Sequence, residues 1–495
     1  MSLVSYGSAV ALHAARHPDR PAVVLGEQVL SFAELDRRAN RMARAFAAHG
    51  VGPDALVTLG LPNCPAFYAA CLAAWRLGAT PQPVSARLPE AERRAIIELA
   101  RPALVFGAPP GERYDAPSLP ADYEPDPALS DAPLPDVVSR HCRAMTSGGS
   151  TGRPKLIVDL TPAQCDPEAA ENGMTPGGVT LVPGPLYHAG PFITSWGQIL
   201  SGGTAVLMAR FDPEQALALI ERHRVDWVLF VPTMMQRIWR LPEAVRNRYD
   251  LSSLRRVMCT GAPSPVWLKR AWIEWLGPER IWEAYGGTER SGGTMISGTE
   301  WLAHPGSVGR PTGGRKIRVL RPDGSECAPG EVGELYMMPP GGPGSTYRYI
   351  GAEPVATPDG WETLGDLGYV DEEGWLYLVE RKADMILVGG ANVYPAEVEA
   401  ALDAHPAVRS SAVIGLPDDD LGNRVHAIVD AIAPVGEEEL RAHLAERLVS
   451  YKIPRSFEFV DEPLRDDAGK LRRSALRAAR LARAARTPAD GGGAE

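Results

Sequence analysis

Apolar residues at Phe32, Leu35, Ala39, Met42, Ala43 and Phe46 recur at the spacing of one helical face. Ser31 with Glu34 three positions later supplies the start signal for that helix, and Gly50 is its natural stop. A short apolar strand is predicted over 55–61, a helix over 64–76 and another strand over 80–84. The stretch 108–136 is rich in Pro, Asp, Ala and Ser without periodicity and reads as a surface connector rather than a catalytic segment. Apolar strands then recur at 179–182, 205–208, 227–231 and 257–259, with a helical pattern over 213–223. This alternation predicts an α/β fold, a large N-terminal body of sheets packed by helices. Around residue 310 the pattern changes to strands at 316–320, 333–337 and 375–379, separated by turns such as Asp323-Gly324 and Glu373-Gly374, so a β-rich subdomain is expected. Residues 385–475 carry short mixed elements that predict a small α+β domain, and the final PADGGGAE is expected to be disordered. There is no internal repeat.

With 495 residues, 45% of them hydrophobic, the chain can bury large cores and is expected to form two to four domains. Its 61 acidic residues against 51 basic ones give a formal charge of −10, which offers nucleic acid no general attraction; any phosphate must be held locally. Six scattered cysteines without C-x-x-C or metal-ligand spacing suit reduced thiols and a cytoplasmic protein. The N-terminus lacks a basic start with an apolar core, and no stretch approaches a membrane-spanning length, so neither secretion nor membrane insertion is expected.

The segment Ser147-Gly148-Gly149-Ser150-Thr151-Gly152-Arg153-Pro154-Lys155 concentrates the glycines, hydroxyls and cation with which a loop wraps phosphates. On composition alone an ordinary Gly/Ser turn is the favoured reading. It fails the Walker pattern, because Arg153-Pro154 separates Gly152 from Lys155, which argues against a P-loop kinase or ATPase. Downstream lie Pro185-Leu186-Tyr187-His188, Thr260-Gly261-Ala262-Pro263, Glu283-Ala284-Tyr285-Gly286-Gly287-Thr288-Glu289 and Thr363-Leu364-Gly365-Asp366-Leu367-Gly368. Glu380-Arg381-Lys382-Ala383-Asp384, Gly389-Gly390-Ala391-Asn392-Val393-Tyr394-Pro395 and Arg465-Asp466-Asp467-Ala468-Gly469-Lys470 complete the series. Taken singly, a lone histidine reads as a satisfied polar residue, paired glycines as a hairpin turn and a lysine near a basic helix as solvated.

In this order and spacing the set resembles the adenylate-forming superfamily of acyl-CoA synthetases, adenylation domains and luciferases. Gly148, where a hydroxyl is usual, and Leu156, where glycine is common, look like the branch of bile-acid and fatty-acid CoA ligases. The resemblance implies a phosphate loop built from Ser147, Gly149, Ser150, Thr151, Gly152 and Lys155. It places Gly261, Ala262, Glu283, Ala284 and Tyr285 at the adenine, Thr288 on a phosphate oxygen and Glu289 on Mg²⁺. Asp366 and Arg381 fall to the ribose, and His188, Gly286 and Gly287 to the acyl substrate. Gly389 and Gly390 would line the passage for a thiol, and Lys470 would be the catalytic cation bridging the carboxylate and the α-phosphate. It also implies domains at 1–382 (AMP-binding) and 384–480 (a mobile lid carrying Lys470) with a tail at 481–495. Ala383 stands where relatives carry an Asp or Lys pivot.

The expected activity is therefore that of an acid–thiol ligase, forming acyl-AMP and pyrophosphate from a carboxylic acid and ATP, then transferring the acyl group to coenzyme A with release of AMP. A stand-alone enzyme loading a carrier protein, or one retaining a single half-reaction, is the alternative. Small residues at Ala284, Gly286, Gly287, Gly292 and Gly293 would, if they face the pocket, leave room for a medium, long or polycyclic acid, although glycine is equally at home in a tight turn. The oligomeric state is left open, a homodimer included.

Overall fold

The structure is a computed structural model that describes residues 3–148, 154–418, 420–465 and 469–486. By contact density the chain divides into two compact units, one formed by 1–264, 268–317 and 337–362, the other by 265–267, 318–336 and 363–495.

In the first unit, six parallel strands form the centre of the main sheet, in the order Ile281–Gly286, Arg256–Cys259, Trp227–Phe230, Val179–Val182, Thr204–Leu207 and Pro21–Leu25. Their near-continuous apolar runs are what strands covered on both faces require. Antiparallel strands extend the sheet at both ends: Gln28–Ser31 at one, Gly293–Ser297 and Ser307–Pro311 at the other. A second, all-parallel sheet runs Thr80–Pro83, Leu56–Leu59, Leu104–Ala108, Ser118–Pro120. The Phe32–Ala48 helix begins as its sequence dictates: Ser31 and Glu34 form a complete capping box, and Phe32, Leu35, Ala39, Met42, Ala43 and Phe46 are buried. The Pro65–Arg76 helix is apolar all round and correspondingly buried, with Phe67, Tyr68 and Trp75 among its core residues. Two features depart from the sequence reading. The Pro-rich connector contributes the edge strand Ser118–Pro120, and an amphipathic helix over Glu90–Ala100 packs Ile96 and Ala100 beside Leu156.

In the second unit, strands Glu362–Val370 and Leu376–Arg381 pair antiparallel, followed by a tight hairpin of Ile386–Val388 and Ala391–Val393. A three-stranded sheet joins Val408–Asp418 antiparallel to Gly422–Ala431, which runs parallel to Ser456–Val460. Val398 and Leu402 of the Pro395–Asp403 helix and Leu440 and Leu444 of the Glu437–Ala445 helix share a core with its Val413 and Val429. Residues 318–336 and 363–381 of the β-rich region thus group with the C-terminal elements, and within this unit Glu380 at the end of one strand accepts a hydrogen bond from the Ala396 N–H at the start of the next helix (2.7 Å). The last helix runs Arg473–Arg486, so residues 481–486, expected in the disordered tail, are helical; 487–495 lie outside the described residues. No described helix is long and apolar enough to cross a membrane.

Gly309 shows how tightly the strands Gly293–Ser297 and Ser307–Pro311 are packed: its φ is +99° and an added Cβ would stand 2.1 Å from the Met295 carbonyl oxygen. Gly309→Ala should destabilise the protein by roughly 2–4 kcal/mol, read as a lowered urea midpoint at unchanged m.

Candidate active site

Adjacent parallel strands of an open sheet leave a crevice at their carboxyl ends, where ligands commonly bind. Three of the motifs emerge there. Gly261 and Ala262 follow Arg256–Cys259, Tyr285 and Gly286 end Ile281–Gly286, and His188 stands after Val179–Val182 as the cap residue of the Ala189–Leu200 helix, its ring 4.4 Å from that of Tyr187. Gly261 has φ +88°, a turn that a side chain would strain.

The strand Ala144–Gly148 pairs antiparallel with Pro154–Asp159, setting Ser147 opposite Lys155. Gly149, Ser150, Thr151, Gly152 and Arg153 lie between these strands and outside the described residues. Lys155 therefore opens the returning strand, and its ammonium meets two groups from elsewhere: the Glu289 carboxylate at 3.7 Å and the face of Tyr349 at 3.9 Å from the ring centroid. Tyr349 Oη donates to Glu289 Oε1 at 2.7 Å, and Thr346 Oγ1 donates to the Glu289 carbonyl at 2.9 Å. Burial, then the neighbouring Glu289, pushes the Tyr349 phenol far above its ordinary range, so it acts as a donor throughout the accessible pH range. Just beyond, Arg290 adopts φ +58°, which costs a non-glycine residue about 1–3 kcal/mol, and its Nη1 reaches Asp159 Oδ2 (3.3 Å) and Thr161 Oγ1 (3.1 Å). Sequence reasoning missed Tyr349, Thr346, Asp159 and Arg290. Tyr349 is separated from Glu289 by 60 positions, and nothing local marks it.

Glu283 is placed differently from Glu289. Its carboxylate turns inward to Lys269, 2.6 Å away, and both side chains are almost wholly buried; burial pushes the Glu283 carboxyl up, against the pull of Lys269. The glycines, too, have other work than making room. A Cβ on Gly286 would come within 3.1 Å of the Gly292 carbonyl, one on Gly293 within 3.1 Å of the Tyr285 carbonyl, and one on Gly292 would collide with Met337. These three allow a close hairpin, in which Gly286 faces Gly293. They are not by themselves a sign of a wide acyl pocket.

In the second unit, Asp366 and Arg381 stand opposite each other on paired strands, with Arg381 Nε 3.3 Å from Asp366 Oδ1. Asp366 is buried while Arg381 is exposed, so the pair leaves a guanidinium facing solvent. Gly389 and Gly390 form the two-residue turn of their hairpin with φ of +54° and +86°, values that call for glycine irrespective of any ligand. Lys470 is exposed, beside the bridge between Arg465 and Leu471. Its segment is tied on both sides to one buried carboxylate: Glu399 lies 3.5 Å from Arg465 Nη2 and 2.8 Å from Arg473 Nη2. Arg473 Nη1 also reaches Asp384, at 2.9 Å.

Removing Lys269 would leave the Glu283 carboxyl buried without its partner. Lys269→Met should cost about 3–5 kcal/mol in a denaturant titration, and adding Glu283→Leu should recover most of it.

With this geometry in place, the comparisons with known proteins are specific. The family described as AMP-binding enzyme matches residues 10–347, and its C-terminal domain family matches 397–470. A feruloyl-CoA synthase from an Amycolatopsis species is 35% identical over 482 residues, covering 93% of this chain and 96% of that protein. A 2-succinylbenzoate–CoA ligase from Bacillus licheniformis is 32% identical, covering 93% of this chain and 97% of that protein. The solved structure of o-succinylbenzoate coenzyme A synthetase from Bacillus subtilis in complex with ATP and magnesium ion superposes with a TM-score of 0.79 at 27% identity, covering 96% of this chain and all of the other. Both parts of the chain are thus matched, in order and over nearly their whole length, and the protein belongs to the AMP-binding enzyme family, as an acid–CoA ligase of the adenylate-forming superfamily.

Proposed function

We propose that this ligase activates an aromatic carboxylic acid with ATP, Mg²⁺ and CoA. The observation that carries the chemistry is the Lys155–Glu289–Tyr349 cluster: a cation and a carboxylate held together beside the strand pair that flanks the phosphate-loop motif. The substrate class is supported by the relatives, whose names specify feruloyl and 2-succinylbenzoate groups; the packing roles of Gly286, Gly292 and Gly293 take three of the five small residues out of the argument for a long or polycyclic acid.

The residues present fit a magnesium ion. Glu289 offers one hard oxygen still available beyond the Tyr349 hydrogen bond, and Mg²⁺ is commonly held by one or two carboxylates plus substrate phosphates. When bound, it supplies charge neutralisation at the phosphates. Lys155 orients the phosphates from the opening of its strand, and Asp366 accepts from the ribose hydroxyls. The acid carboxylate attacks the α-phosphorus, the bond to the bridging oxygen breaks, and pyrophosphate departs with the electron pair. Lys470 offsets the repulsion between the carboxylate and the α-phosphate in this step. The CoA thiol, having lost its proton, then attacks the acyl carbonyl, and AMP leaves.

AMP release measured over a panel of benzoic, cinnamic and straight-chain fatty acids, with and without CoA, tests this reading. Cinnamic or benzoic acids should give kcat/KM at least about tenfold above the fatty acids, a difference of roughly 1.4 kcal/mol in transition-state binding. A preference for fatty acids would contradict the substrate class. Lys470→Ala should lower acyl-AMP formation about a hundredfold or more while leaving thioester formation from supplied acyl-AMP largely intact; equal loss in both steps would contradict its assigned role.

A further inference from the structure

Residues 289 and 290 are both engaged from a single strand. Alternate side chains of Pro154–Asp159 share a face, so Lys155 and Asp159, four positions apart, project to the same side. Lys155 addresses Glu289, and Asp159 addresses Arg290. Asp159 is itself fixed in place. It is almost fully buried, Arg143 Nη2 lies 2.5 Å from its Oδ2, its N–H donates to the Arg143 carbonyl at 3.0 Å, and its Oδ1 accepts from the Thr161 N–H at 2.9 Å. Burial alone would raise the Asp159 carboxyl, but Arg143 and Arg290 more than offset this and hold it below its usual range, so the anchor stays charged.

Arg290 has reason to need an anchor. Its φ of +58° lies in the left-handed region, which a non-glycine residue enters at a cost. Its N–H closes a turn on the Gly287 carbonyl at 3.1 Å, and within that turn lie Thr288 and Glu289. The turn is thus gripped at three points: the Glu289 carboxylate by Tyr349, the Glu289 carbonyl by Thr346, and its far end by the Arg290–Asp159 pair.

We propose that Arg290 is a positioning residue which, by tying the end of the 287–290 turn to Asp159, fixes the direction in which Glu289 presents its second carboxylate oxygen to Mg²⁺. The proposal rests on Glu289 being the metal carboxylate. A glycine at 290 would adopt the backbone conformation without strain but lose the tie, a methionine would keep the strain and lose the tie, and a lysine would return a cation to Asp159.

The test is a Mn²⁺ titration of the full-length protein with a non-hydrolysable ATP analogue, free Mn²⁺ being read by electron paramagnetic resonance. Arg290→Gly and Arg290→Met should each weaken Mn²⁺ binding about tenfold, the lower end of what loss of a partner behind a metal ligand costs. Arg290→Lys should recover a large part of the loss, and binding of the analogue without metal should stay within about twofold of wild type. Arg290→Gly relieves the backbone and Asp159→Asn weakens the tie from the other side, so a folding failure in one variant leaves the other to decide. Glu289→Gln run in parallel separates the two claims. If it leaves Mn²⁺ binding unchanged, the metal reading of Glu289 fails and the proposal with it. If it weakens binding while Arg290→Gly and Asp159→Asn match wild type, the assignment of Arg290 alone is overturned.

Discussion

An acid carboxylate and a triphosphate repel each other, so an enzyme that joins them must hold positive charge in place before either arrives. In the proposed mechanism Lys155 contributes that charge, and an aromatic ring holds it in place. Lys155 sits over Tyr349 within ion-pair reach of Glu289, while the phenol of the same tyrosine occupies one oxygen of that carboxylate. One side chain therefore positions the cation by its face and the anion by its edge. Because the phenol keeps its proton, this arrangement does not switch with pH by way of the tyrosine.

The rest of the first unit keeps these three groups together although they come from distant parts of the chain. The antiparallel trio Ala144–Gly148, Pro154–Asp159 and Tyr347–Ile350 brings Lys155 and Tyr349 side by side through its register, with Tyr349 opposite Ile157. Glu289 arrives on the turn after Ile281–Gly286, in a hairpin so close that Gly286 and Gly293 face each other, while the Met337 side chain leaves no room for a Cβ on Gly292. Glu283, held by Lys269 from the Val266–Leu276 helix, lies in the same strand, two residues before Tyr285.

Much of this architecture could be read from periodicity. The Phe32–Ala48 helix with its capping box, the apolar parallel strands and the helix Pro213–His223 follow from spacing alone, since burial on one face or on both imposes it. The Glu90–Ala100 helix is harder to see, because its apolar face interleaves with Arg93 and Arg94, and the former is buried through pairing with Glu112. Motif order placed Lys155, Glu289, Asp366 and Arg381 in sequence; what it could not convey is which side chains turn toward one another. Glu283 turns into the core although it lies in the same motif as Tyr285, and the glycines of that motif serve a hairpin. Tyr349 and Arg290 carry no signature at all, because their significance arises from strand register and from one backbone angle.

In the proposed mechanism, charge gathered at Lys155 and Glu289 serves attack at the α-phosphorus. The most direct test is a single-turnover reaction without CoA, using ATP labelled at the α-phosphate and a saturating aromatic acid. One enzyme equivalent of labelled acyl-AMP should form, together with pyrophosphate and only when acid is present; labelled ADP, or nucleotide cleavage that ignores the acid, would overturn this mechanism.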